Sequence, residues 1–327
     1  MSRTLIFTLL SIGLIVLFLV GMSMGAVSID LMRILSGAAS VTDQIIFFEL
    51  RLPRLAMNII IGAGVALSGA AIQGLFRNAL ADPALIGVSS GAAVFAAAFL
   101  VFGVQEPALR LAGVSGSAFL GSIVATTLVL LVAKKSHSTS TILLAGIAVN
   151  AIALSAVGLL SYLSTDAQLR SVSFWALGSF NGVTWTMVGV AGLSIPAMIL
   201  IYFESSRLNI ITLGDREATG LGVSVRQLRL RVIVGCAFIV AIGVSQVGVI
   251  SFIGLVVPHL VRLTIGSNHK VLLPASAIGG GAIMIIADSL CRTLFVPNEL
   301  PVGILTALVG GPFFIYLIII QKNRFRI

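Results

Sequence analysis

Side chains capable of chemistry are sparse in this chain, and their spacing excludes the commonest kinds. The three histidines are His137, His259 and His269, and none stands in the His-Glu-x-x-His spacing that sets two zinc ligands and a general base on one helical face. No Gly-Lys dipeptide occurs, so the glycine loop that wraps nucleotide phosphates and aims a lysine at them is missing. Cys236 and Cys291 each lie in an apolar run without a Cys or His at metal spacing, and they read as small core hydrophobes. No catalytic residue, metal site or cofactor is expected on these grounds. Asp288 is the one acid deep within an apolar segment, four residues before Arg292 and therefore on the same helical face. A local ion pair and a functional role are both open for it, because ionisable groups at membrane depth are paired or put to use. An intramembrane hydrolase or a proton-coupled carrier would need a second acid for proton transfer, and none is spaced for it.

What must position these residues is a set of long apolar segments. Only 9% of the 327 residues are charged and 58% are hydrophobic, whereas a soluble domain carries about a quarter charged residues. Mean hydropathy is +1.14. Uncharged runs extend from Leu5 to Ile29, Leu55 to Phe76, Pro83 to Gln105, Leu111 to Ala133, Ser136 to Thr165, Ser171 to Phe203 and Leu300 to Gln321. About 20 residues at 1.5 Å rise cross a hydrocarbon core of about 30 Å, so each run is long enough to span as a helix. The first run, followed by many more, reads as an uncleaved helix rather than a secretory signal, although Gly25 and Ala26 are small residues near a cleavage point.

The stretch from Val232 to Val261 is interrupted by Gly248, Gly254 and Pro258 and could hold one crossing or two. Charge bias decides for two. With ten crossings in all, Arg3, Arg77, Lys134, Lys135, Arg207, Arg216, Arg226, Arg229, Arg231, Arg262, Lys270, Lys322, Arg324 and Arg326 share the side of both termini, which is then the cytoplasmic side. One crossing would export the basic tail. The predicted crossings begin near Leu5, Leu55, Leu85, Ala112, Ser140, Trp185, Leu230, Ile250, Leu272 and Val302. The net charge of +9 is thereby topogenic, and no nucleic acid partner is expected.

Small residues recur every fourth position in Gly62, Ala66, Ala70 and Gly74, and again in Gly303, Ala307 and Gly311, a pattern that lets helix backbones approach closely. The longest hydrophilic segment between crossings runs from Glu204 to Arg231 and is broken by Gly214, Gly220 and Gly222. A short amphipathic helix held there would suit docking into a partner's groove. A plain connecting loop is the other reading.

From Arg51 to Gly91 the chain reads RLPRLAMNIIIGAGVALSGAAIQGLFRNALADPALIGVSSG, and later STSTILLAGIAVN, LGDREATGLGVSV, SFIGLVVPHLVR and ADSLCRTLFVPNELPVGILTALVGGPFF. These motifs, in this order and over nearly the whole chain, resemble the FecCD family of ABC importer permeases, which take up iron chelates and vitamin B12. The resemblance implies ten helices per subunit and a homodimer around a central path. It also implies a separate pair of ATP-binding subunits on the cytoplasmic face and a soluble binding protein that delivers substrate from outside. It further implies an inverted repeat, of which AIQGLF against VSQVGVISFI is a faint echo.

By the same resemblance, Arg51 and Arg54 of RLPR with Arg292 of CR are the external arginines that pair with carboxylates of the binding protein. Their placement on the outer side, against the positive-inside trend, also favours an anionic protein partner. Asn78 and Leu80, with Thr139 and Ser140, resemble the residues that close the cytoplasmic end of the path, with Ala79 standing where a proline is usual. Gly214, Asp215, Glu217, Ala218, Gly220, Leu221, Gly222 and Val223 resemble the coupling helices that insert into the ATPase. FRNALADPALIGVSSGAA, DAQLRSVSFWALGSF and GGPFF look most like the haem-uptake branch. The expectation is therefore one all-α transmembrane permease domain over residues 1–327, similar to the vitamin B12 permease. It would be homodimeric and seated in a bacterial inner membrane with both termini cytoplasmic. Its cargo would be an iron chelate, haem before ferric siderophore, with vitamin B12 or a stand-alone carrier as the alternatives.

Overall fold

The computed structural model describes residues 3–25, 30–104, 106–133 and 139–324, and every regular element among them is helical. Lys134, Lys135, His137 and Arg326, and the side chains of Thr139, Lys322 and Arg324, lie outside the described residues. The main helices are α1 (Arg3–Ser23), α2 (Leu52–Phe76), α3 (Val88–Phe102), α4 (Pro107–Ala133) and α5 (Thr139–Tyr162), followed by α6 (Trp185–Phe203), α7 (Val225–Val247), α8 (Ile253–Ile265), α9 (His269–Thr293) and α10 (Val302–Arg324). Seven of them carry an apolar stretch long enough to cross a membrane, and α3, α8 and α10 carry shorter ones.

The disputed stretch resolves into two helices. Helix α7 stops at Gly248, whose φ of 78° no side-chain-bearing residue adopts cheaply, and the chain restarts at Ile253 after Phe252 in the left-handed region. Pro258 lies inside α8 and cannot donate to the carbonyl of Gly254 one turn back. That carbonyl accepts from Gln73 Nε2 at 3.4 Å instead. Helix α8 begins beside Val65, near the middle of α2, so its 13 residues need only about 20 Å.

Three helices start five or more residues before the positions read from sequence. Apolar helix continues unbroken from Val41 through a π turn at Ile46–Arg51 into α2, although Glu49, Arg51 and Arg54 interrupt the uncharged run that begins at Leu55. Both arginines are bonded inside the protein, Arg51 to backbone carbonyls and Arg54 to carboxylates, so their charge does not end the helix. Helix α4 begins at Pro107 rather than Ala112. Helix α7 begins at Val225 rather than Leu230, because its first turns are basic and an apolar criterion skips them.

The core lies where α2 meets α9. A Cβ on Gly62 would strike the Gly280 carbonyl, and one on Gly280 would strike that of Gly62, so the two backbones touch with nothing between them. Ala66 and Ala70 of the same stripe are fully buried, and Gly74 receives the His269 ring. The second stripe behaves differently. Gly303 packs on the Leu177 carbonyl, but Ala307 is exposed and Gly311 faces open space. Span Val41–Phe76 has 78% of its window buried, while Ser140–Tyr162 in α5 has 22%. Helix α2 is thus the axis of the subunit, and α5 has most of its surface left for lipid or another chain.

Candidate functional site

Polar side chains gather at the two ends of the bundle. At the end where α2 begins and α9 finishes, Arg51, Arg54 and Asn58 recur at helical spacing on one face of α2. The Arg54 guanidinium grips Asp288 with Nε and Nη2 at 2.8–3.0 Å, and its Nη1 donates to Glu299 at 2.8 Å. Asn58 Nδ2 donates to the same Asp288 carboxylate at 2.9 Å, and Arg292 pairs with it at 3.3 Å. The local Asp288–Arg292 pair is therefore present, within a larger cluster that also binds α2 to α9.

Arg51 and Arg292 have a further task. The last carbonyls of α1 lack helical donors, and Arg51 Nη1 donates to those of Met22 at 2.6 Å and Ser23 at 3.0 Å. Arg292 Nη2 donates to Gly21 at 3.2 Å. Cations at a helix C-terminus also meet its negative dipole end. All three arginines are buried, at 5%, 8% and 5% exposure for Arg51, Arg54 and Arg292. They nevertheless line a cavity of about 250 Å³ with Gly25, Asn181 and Glu299. With Asp288 buried behind the wall, three guanidiniums are set against two carboxylates, so the cluster keeps one excess positive charge. Glu299 and Asn58 were not among the residues expected from sequence. The polar spacing of 51, 54 and 58 within an apolar helix was the signal for Asn58, and Glu299 had none.

At the opposite end, α2 stops at Arg77, a non-glycine residue at φ 51° and ψ 34°. Its N–H bonds to Gly74 O and that of Asn78 to Gln73 O, closing the last turn in the manner of a left-handed cap. Asn78 Oδ1 then accepts from Leu80 N–H at 2.9 Å, and Asn78 O accepts from Ala81 N–H at 3.1 Å. This side-chain turn shapes the loop that Ala79, without a proline ring, leaves free. Ser140 stands exposed in the first turn of α5. Two residues on, Ile142 shares a cavity of about 690 Å³ with Leu130 and Ala133 of α4 and with Asp215, Thr219, Val223 and Arg229.

The segment from Glu204 is helical over Ser205–Ile211 and again over Asp215–Gly220, separated at Gly214 with φ 128°. A side chain on Gly214 would strike the Glu217 carboxylate. Ala218 and Val223 are buried inward, whereas Leu213 and Leu221 are 63% and 61% exposed. Asp215 pairs with Arg77 at 3.3 Å and with Arg229 at 2.6 Å. Glu204 holds Arg207 at 2.7 Å and Arg231 at 3.2 Å. Asn209 meets Asn268 at 3.0 Å and the backbone N–H of His269 at 2.8 Å. The structure thus joins the expected gate loop and the expected coupling segment directly. Among the described residues no three His, Cys, Asp or Glu side chains gather as metal ligands would.

Comparison with known proteins agrees with this architecture. Residues 13–320 match the FecCD transport family. The hemin transport system permease protein HmuU of Yersinia pestis is 42% identical over 96% of this chain and 95% of its own length. The cobalamin import system permease protein BtuC of Halobacterium salinarum is 38% identical over 85% of this chain and 74% of its own. Among solved structures, an inward-facing metal-chelate type ABC transporter superposes with a TM-score of 0.87 at 33% identity, covering 97% of this chain and 99% of that one.

Proposed function

This chain belongs to the FecCD transport family and is an ABC importer permease, and we propose that its cargo is an iron chelate, haem before ferric siderophore. The observation that carries the cargo is the 42% identity over nearly the full length to a hemin permease. A cobalamin permease at 38% over a shorter span makes vitamin B12 the second reading. In this reading two copies of the chain enclose the path in a bacterial inner membrane, with both termini and the coupling segment cytoplasmic. A pair of ATP-binding subunits docks on Gly214–Val223, favoured by the exposed Leu221 just past a short helix whose Ala218 is buried. A soluble binding protein docks outside, its acids drawn by the excess positive charge that Arg51, Arg54 and Arg292 leave in their cavity.

Asn78, Leu80, Thr139 and Ser140 close the inner end of the path. The test of cargo is uptake into proteoliposomes holding the permease with its cognate ATPase and binding protein, offered haem, a ferric siderophore and cobalamin in turn. ATP-dependent accumulation of haem is the expected result. Accumulation of cobalamin without haem would replace the reading by its alternative.

A further inference from the structure

We propose that Asp215 is a positioning residue that links the ATPase-docking segment to the gate loop, so that motion of helix Asp215–Gly220 is handed directly to Arg77–Leu80. This rests on the assignment of Gly214–Val223 to docking and adds the route by which docking acts. The Asp215 carboxylate divides between two cations on different elements, with Oδ1 at 3.3 Å from Arg77 Nη2 and Oδ2 at 2.6 Å from Arg229 Nη2.

The two partners differ in freedom. The Arg229 side chain is 11% exposed in the first turns of α7, and the Arg77 side chain is 41% exposed. Arg229 is the seated end of the link and Arg77 the end that can be drawn. Arg77 is also the left-handed residue at which α2 stops. Asn78 follows it immediately, and the Asn78 side chain builds the turn to Leu80. A displacement of the Arg77 guanidinium therefore acts on the residue where a rigid helix hands over to the loop.

The docking segment is tied elsewhere as well, through Asn209 to Asn268 and His269 at the start of α9. That tie moves a crossing helix as a body. The Asp215 tie reaches the gate loop itself. An exposed ion pair adds little to folding stability, so its loss should leave an inserted, folded permease in which ATP hydrolysis and gate movement have come apart.

The test uses the full complex with ATPase and binding protein in proteoliposomes, and reads substrate transported per ATP hydrolysed. R77Q and D215N should each lower that ratio about tenfold. The double variant should lose no more than D215N alone, because the Arg77–Asp215 contact is already absent there. D215E should recover most of the ratio. Cysteines in an R77C/D215C pair should be bridged, in both nucleotide-free and ATP-bound complexes, by a bifunctional thiol reagent whose span matches the arginine side chain they replace.

An unchanged ratio in the single variants, additive losses in the double, or a crosslink confined to one state would overturn the link. So would loss of the ATPase from purified D215N with its retention in R77Q, which would make Asp215 a docking residue only. The docking assignment is read separately, by whether the ATPase co-purifies with a permease altered at Leu221.

Discussion

Removing the Asp288 carboxylate would leave the Arg54 and Arg292 guanidiniums buried with one acid, Glu299, in reach of the first alone. A buried cation stripped of its partner costs about 3–5 kcal/mol. D288A should therefore unfold well below the wild-type temperature in detergent, measured by thermal aggregation or by fluorescence of a thiol dye at Cys291. A wild-type melting temperature would mean that water or Glu299 already neutralises the cluster. The local half of this site was legible from sequence, since Asp288 and Arg292 are four apart on one helix. The half that matters more, Asp288 with Arg54, joins positions 234 residues apart, and no periodicity along the chain reports which helices meet. The arginines were legible as cations flanking apolar segments. Their service as caps for α1 was not, because a carbonyl's missing donor is a property of the fold.

At the scale of elements, breaks were easier to read than lengths. Gly248 ended α7 as its position suggested, but the shortness of α8 follows from where it starts in depth, beside Val65 of α2. The coupling segment shows both limits. Its glycines marked the break at Gly214, whereas the inward burial of Ala218 and Val223 and the outward exposure of Leu221 appear only once the helix is seated. That exposure makes L221D a clean probe, since a carboxylate at an exposed site does not disturb the permease itself. Against a partner's groove it would bury an unpaired charge at a cost of a few kcal/mol. L221D should insert and purify normally, yet lose ATPase co-purification and transport. If it purified with the ATPase at wild-type stoichiometry and full activity, the coupling contact would have to be placed elsewhere.

At the scale of the whole molecule, the subunit is lopsided. Helix α2 is largely enclosed, while α5 presents apolar residues such as Leu144, Ile147, Ile152 and Leu154 outward, and among the described residues Ala307 of α10 is exposed and Gly311 faces open space. These outward apolar faces are left for lipid or for a second copy of the chain, and a two-fold partner would present the same face in return. In the homodimer proposed above, the start of α5 and the loop after α2 from both copies converge near the axis at the coupling end. Cysteines placed at Asn78, Leu80, Thr139 or Ser140 should then form crosslinks between copies, because a disulfide needs Cα atoms within about 7 Å. The native Cys236 and Cys291 are free and buried, so they should contribute little background. Crosslinked complexes should bind ATP and fail to transport, and reduction should restore uptake. If these positions stay far apart between copies in nucleotide-free, ATP-bound and post-hydrolysis complexes alike, the constriction is formed by other residues and the gate assignment falls.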